Sequence, residues 1–183
     1  MAVTRTSLPG EYGRALTALA RHNVEFVICG GLACFLHGSS RNTRDIDLAV
    51  RLERDNLGRL IEAAKELGLK PRIPEPLEAI MDDQRRAEWL HMKNALVFTI
   101  VSLESPLQID VFLSYPIAFE ELLRKADAVT IDDVTFRISS KQHLIQAKRM
   151  VQPPRFEDEF DIKFLQEQIN REERERHKSP DRS

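Results

Sequence analysis

Read from its apolar spacing, the chain alternates between helical and extended segments. Tyr12, Leu16, Leu19 and Ala20 fall at helical spacing, so residues 11–22 are expected as a helix. Val24–Cys29 is an unbroken apolar run, the mark of a buried strand. A short helix over Leu32–His37 should follow, closed by Gly38-Ser39-Ser40, and then a strand over Asp45–Arg51. Leu57, Leu60, Ile61, Ala64 and Leu67 make one helical face across residues 53–68, with Gly68 placed to end it. Pro71–Pro76 interrupts regular structure, and residues 79–94 read ambiguously, as a loop or a helix carrying Trp89. Beyond that point, Ala95–Ser102 and Leu107–Leu113 read as strands and Pro116–Ala126 as a helix. Val129–Ile131 and Val134–Ile138 should pair about Asp132-Asp133. Ser139 or Ser140 is placed to cap a helix over Lys141–Val151, and a last helix should begin after Pro154. From Asn170 the sequence is almost wholly polar and is expected as a frayed, partly disordered tail over 170–183.

Strands interleaved with helices give an α/β or α+β domain. At 183 residues the chain suits one domain, residues 1–169, with a core at 11–138 and a helical portion at 139–169. Apolar content of 42% and charged content of 31% are ordinary for a globular protein. Neither a membrane-length apolar run nor a signal-peptide core is present, so the expected location is the cytoplasm. Cys29 and Cys34 are the only cysteines and read as buried small hydrophobes rather than a disulfide or zinc pair. Net charge is −2, which provides no global field towards nucleic acid. RNA binding would need a local patch, for which Arg41, Arg44, Arg51, Arg54 and Lys148-Arg149 are the candidates.

The densest chemistry lies between Val24 and Val50. Asp45 and Asp47 are two apart on one strand, on the same face, with Cα atoms roughly 6.5–7 Å apart. Like charges so close repel, by about 1 kcal/mol at 4 Å in water and more in a partly buried site. A divalent cation reverses that sign, and magnesium binds through one or two carboxylates plus substrate phosphates. Gly30-Gly31 either lets phosphate approach the backbone or simply forms a tight strand–helix turn. Asp110 interrupts the apolar strand LQIDVFL, sharing a face with Gln108 and Phe112. It is either a solvent-facing residue or a third metal carboxylate.

The string GGLACFLHG followed by R-x-T-x-D-I-D-L resembles the signature of the DNA polymerase β-like nucleotidyltransferase superfamily, in particular its small bacterial members related to the AbiEii toxin family. A second stretch, SSKQHLIQAKRMVQPPRFEDEFDIKFL, is similar to the C-terminal signature of the same small transferases. The match departs at Glu157, where a basic residue is usual.

The resemblance implies a mixed sheet flanked by helices, with Asp45, Asp47 and Asp110 on adjacent strands holding Mg²⁺ or Mn²⁺. It implies an NTP substrate, with Gly30 and Gly31 near its phosphates. Hydroxyls of Ser39 and Ser40 and the guanidinium groups of Arg41 and Arg44 would hold phosphate, unless this stretch is a plain polar loop. It implies that Lys148 contacts the nucleotide, with Arg155, Asp158 and Asp161 as its companions; an amphipathic helix pair with solvated charges is the alternative. His37 is better placed as a helix-end residue than as a ligand.

The resemblance favours NMP transfer to tRNA or protein by a toxin-type enzyme, with a cognate antitoxin as partner. The alternatives are a non-catalytic nucleotide- or partner-binding module and a small-molecule (antibiotic) transferase. An acidic acceptor cleft for a cationic drug would draw on Glu75, Glu78, Asp82 and Asp83, which also suit an ordinary acidic loop.

Overall fold

A computed structural model describes residues 4–6, 8, 10–41 and 43–178. The elements follow the apolar spacing closely. Strand β1 (Thr4–Thr6) precedes helix α1 (Gly10–Arg21), β2 (Phe26–Ile28), α2 (Gly30–Leu36) and β3 (Ile46–Val50). Helix α3 (Arg54–Glu66) leads through the two-residue β4 (Lys70–Pro71) and a 3₁₀ turn (Leu77–Met81) to α4 (Asp83–Lys93). Then come β5 (Val97–Val101), β6 (Gln108–Phe112) and α5 (Phe119–Arg124). The hairpin β7 (Asp127–Ile131) and β8 (Val134–Ile138) precedes α6 (Lys141–Arg149) and α7 (Phe156–Lys178).

Local chemistry accounts for the boundaries. Gly68, at φ +66°, follows α3 in the left-handed conformation expected of a helix stop. Asp132 and Asp133 both adopt positive φ, as a two-residue hairpin turn requires. Ser140 caps α6 by accepting from the His143 N–H. The ambiguous stretch around Trp89 resolves as helix because Asp82 accepts from the Gln84 and Arg85 N–H groups at 2.9 and 3.1 Å, capping α4.

The eight strands form one mixed sheet in the order β1-β7-β8-β2-β3-β6-β5-β4. Parallel pairs are β1/β7, β2/β8 and β3/β6, and the remainder are antiparallel. Alternation gives the central strands two unlike faces. Ile46, Leu48, Val50, Ile109 and Val111 face the main core with residues of α1 and α3 such as Leu16, Leu57 and Leu60. Val27, Cys29 and Ala49 face the other way and pack with Leu122 and Ala126 at and after α5. Asp47 and Asp110, directly opposite each other in the β3/β6 register, share this second face.

Three elements depart from the sequence reading. β1 is not signalled by apolar content; it forms by parallel pairing with β7. Pro71, in the expected break, forms part of β4 at the sheet edge, where a proline is tolerated. The expected frayed tail is helical through Lys178. Glu, Arg and Gln are strong helix formers, and Lys141 pairs with Glu172 at 2.9 Å, tying α7 to α6. Both cysteines are buried and unbridged. Burial pushes each thiol up to about 12, so both are inert. Among the described residues no helix is long and apolar enough to cross a membrane.

Candidate active site

The β2–α2–β3 unit is closed by a hydrogen bond from the Cys29 N–H to the Asp47 carbonyl, 2.8 Å long. This sets the start of α2 directly against the acidic strand. Gly30 has φ +56°, and a Cβ there would stand 1.8 Å from Asp47 Oδ2. A Cβ at Gly31 would meet Arg41 Nη2 and Thr43 Oγ1, each at 2.8 Å. Both glycines therefore make room for the chain's own side chains. The Gly31 N–H points to Asp47 Oδ2 at 3.4 Å.

Asp47 lies directly opposite Asp110 in the β3/β6 register. Carboxylate oxygens of Asp45, Asp47 and Asp110 all fall within 4.8 Å of one another. Thr43 Oγ1 donates to Asp45 Oδ1 at 2.7 Å. Asp110 accepts from Thr99 Oγ1 at 2.6 Å and from Gln108 Nε2 at 2.9 Å. Burial, then the charges of Asp45 and Asp110, push the Asp47 carboxyl up to about 7. Three convergent hard oxygen donors, held in place and mutually repelling, fit Mg²⁺ or Mn²⁺ well.

This carries a pH prediction. Below about pH 7 the metal must displace a proton from Asp47. Its apparent affinity should therefore fall as pH drops, by up to about tenfold per unit for one displaced proton. Mn²⁺ titrations at pH 5.5 and pH 8 would show it; equal affinities would contradict the proposed ligand set.

Across from the carboxylates stands a chain of alternating charges. Arg41 grips Asp161 with both Nε and Nη2, at 3.2 and 2.9 Å. Lys148 Nζ lies 2.9 Å from Asp161 Oδ2 and 2.9 Å from Asp158 Oδ1. Arg155 Nε closes the chain on Asp158 Oδ2 at 2.6 Å. Lys148 is 8% exposed and Asp161 fully buried. Burial opposes the Lys148 charge, but the Asp161 and Asp158 carboxylates outweigh it and hold the ammonium above the ordinary lysine range. Burial likewise opposes the Asp158 charge, yet Arg155 and Lys148 keep it below the usual carboxylate range. Three cations and two carboxylates thus face the acidic trio, with a third carboxylate, Glu157, beside Arg41 and Arg155. Lys148, Asp158 and Asp161 are buried members of the fold, while Arg155 reaches Asp158 from the surface.

A cleft of about 770 Å³ separates the two groups. Gly30, Gly31, Arg41, Asp45, Asp47, Asp110, Lys148, Arg155 and Asp158 line it, as does Glu157 at the point of motif departure. Other residues expected at the site do not. Ser39 is buried and accepts from the Arg41 N–H at 3.3 Å, while Ser40 and Arg44 are exposed outside the cleft. Asp161 sits behind the wall and reaches the cleft only through Arg41 and Lys148. His37 bonds the Ser139 carbonyl at 2.9 Å, a helix-end role.

None of the four acidic residues considered for a cationic acceptor lines the cleft. Glu75 pairs with Arg85, Glu78 with Lys65 and Asp83 with Arg86, while Asp82 is the α4 cap. Three candidates for a basic patch are likewise committed: Arg41 and Lys148 to Asp161, and Arg51 to Glu25, Glu53 and Glu120. Sequence reasoning missed Thr43, Thr99 and Gln108. Thr43 stands inside the R-x-T-x-D string and was legible there; Thr99 depends on the β5/β6 register, which places it opposite Asp110.

No protein-family model matches the chain, and no curated protein sequence does. Solved structures do. The lincosamide antibiotic adenylyltransferase LnuA, in its lincomycin-bound crystal structure, superposes with a TM-score of 0.57 at 15% identity, covering 87% of this chain and 97% of that one. ANT(2'')-Ia in complex with adenylyl-2''-tobramycin gives 0.54 at 16% identity, covering 88% and 89%. The chain has the nucleotidyltransferase fold these structures share.

Proposed function

We propose that this protein transfers a nucleoside monophosphate from an NTP to a hydroxyl of a small molecule, using Mg²⁺ held by Asp45, Asp47 and Asp110. The observation that carries the reading is the acidic trio facing a buried, charged Lys148 across one cleft. When bound, the metal supplies charge neutralisation for the triphosphate and Lewis-acid activation of the attacking hydroxyl. The chain's own residues do the rest. Arg41, Lys148 and Arg155 hold the phosphates, and their positive charges stabilise the departing pyrophosphate. The acceptor oxygen forms a bond to the α-phosphorus as the bond from that phosphorus to the bridging oxygen of pyrophosphate breaks. The hydroxyl proton passes to the Asp110 carboxylate, which Thr99 and Gln108 hold in position.

A small-molecule acceptor is supported by the structural neighbours, whose complexes contain lincomycin and adenylyl-tobramycin. It displaces the tRNA or protein acceptor, and the antitoxin, that the AbiEii resemblance suggested. Arg51, which an RNA-binding patch would have drawn on, is committed to Glu25, Glu53 and Glu120 instead. An NTP donor supports a cytoplasmic reaction.

The test is equilibrium binding of each NTP with and without Mg²⁺. Metal-dependent binding, lost in the Asp45→Asn/Asp47→Asn variant, is expected. Binding indifferent to both metal and substitution would remove the basis for the reading.

A further inference from the structure

The cleft has a second wall that phosphate chemistry does not use. On the face of β5 and β6 that bears Asp110, Thr99 stands opposite Asp110 and Val97 opposite Phe112. Val97 and Phe112 are half-buried, while the residues between them on each strand, Phe98 and Val111, are in the core. One pleat from Asp110, roughly 7 Å along the strand, the sheet therefore presents an apolar surface to the cleft. Tyr115 packs edge-on against Phe112, with ring centroids 4.8 Å apart, and Pro116 extends the same wall.

Charge in the cleft is equally informative. Apart from the metal-binding trio, its acidic residues are Glu157 and Asp158. Asp158 is consumed by Lys148 and Arg155, and Glu157 stands at the rim beside Arg41 and Arg155. In the other direction along β6, Gln108 is bonded by Arg72. Beside Asp110 there is thus an apolar wall on one side and a guanidinium on the other. Among the described residues the one unpaired acid of the cleft outside the trio, Glu157, lies beside Arg41 and Arg155 and not on this wall.

We propose that the acceptor is a small, uncharged hydroxyl compound with an apolar or ring face, seated on Val97, Phe112, Tyr115 and Pro116 with its hydroxyl at Asp110. This rests on the nucleotidyl-transfer reading of the same cleft. Size follows from volume: about 770 Å³ must take the nucleotide as well, which leaves room for one or two rings. A polycationic acceptor would meet Arg41, Lys148 and Arg155, with Glu157 the one acid of the cleft, outside the trio, that no ion pair among the described residues holds.

The test uses the full chain with Mg²⁺, α-³²P-labelled NTP and three acceptors in parallel: phenyl β-glucoside, tobramycin and bulk tRNA. NTP binding is measured separately by equilibrium dialysis. Label should pass to phenyl β-glucoside in preference to the other two. In Phe112→Ala the KM for that acceptor should rise at least about tenfold, the usual scale for losing an apolar contact in a pocket, with NTP affinity unchanged. Preferential labelling of tobramycin or tRNA would overturn the proposal, as would an unchanged KM in Phe112→Ala. Metal-dependent NTP binding with no transfer to the glucoside would also overturn it, while leaving the nucleotide site standing. Absence of NTP binding would bring down the underlying reading itself.

Discussion

Asp47→Asn should reduce nucleotidyl transfer by about three orders of magnitude without unfolding the protein. The side chains are nearly isosteric, so Gly30, Gly31 and the β3/β6 register need not move. What disappears is one of three charged oxygen donors to the metal. Metal-derived charge stabilisation is worth several kcal/mol in the transition state, and each 1.36 kcal/mol is a factor of ten in rate. The same substitution relieves repulsion, because Asp47 lies half-buried among Asp45 and Asp110 with its carboxyl pushed up to about 7. In EDTA at pH 8 the variant should therefore melt at or above the wild-type temperature. The pairing of these results is diagnostic, since a purely structural aspartate would show lower stability and lower activity together. Unaltered turnover in a folded Asp47→Asn protein would remove the carboxylate trio from the chemistry.

The second large effect is expected at Asp161. Its carboxylate has no exposed surface, yet it is held by Arg41 from the loop after α2 and by Lys148 from α6. Asp161→Ala leaves two cations packed together with one fewer counter-charge. Breaking a buried pair on one side typically costs about 3–5 kcal/mol, which in a chain of this length lowers the melting temperature on the order of 10 °C. Replacing Lys148 as well, in Lys148→Met/Asp161→Leu, should restore part of the lost stability, because only the partly exposed Arg41 then lacks its partner and Asp158 keeps Arg155. It should not restore turnover, because the cleft then lacks its buried cation. Calorimetry together with transfer rates on the single and double variants would separate the two roles. Equal stability of Asp161→Ala and the native protein would contradict the buried network.

Much of this site was legible because it is local. Gly30, Gly31, Asp45 and Asp47 sit within eighteen residues, and period-two alternation correctly placed Asp110 on one face with Gln108 and Phe112. The adjacency of β3 and β6 is not local: it spans more than sixty residues, and only the family resemblance anticipated it. Loop directions were the least legible. Ser39, Ser40 and Arg44 stand in sequence where phosphate ligands were expected, but nothing in a loop's sequence fixes which way each residue points. There Thr43 and Arg41 turn inward while Ser40 and Arg44 turn out. The purpose of the glycine pair also shifted. Its missing side chains are needed first for Asp47, Arg41 and Thr43, a crowding visible only once β2 and β3 are paired. At the other end of the chain, a polar composition that reads as disorder supports a continuous helix through Lys178, because strong helix formers need no apolar face of their own when α6 holds them by Lys141.

The most direct test of the central claim follows the two ends of the donor separately. Wild-type protein, Mg²⁺ and phenyl β-glucoside are incubated with NTP labelled at the α-phosphate, and in parallel with NTP labelled at the γ-phosphate. Label from the α-position should appear on the acceptor and label from the γ-position in pyrophosphate, in equal amounts and only with metal. Release of the γ-label as orthophosphate, or consumption of NTP with no α-label on an acceptor, would contradict nucleotidyl transfer.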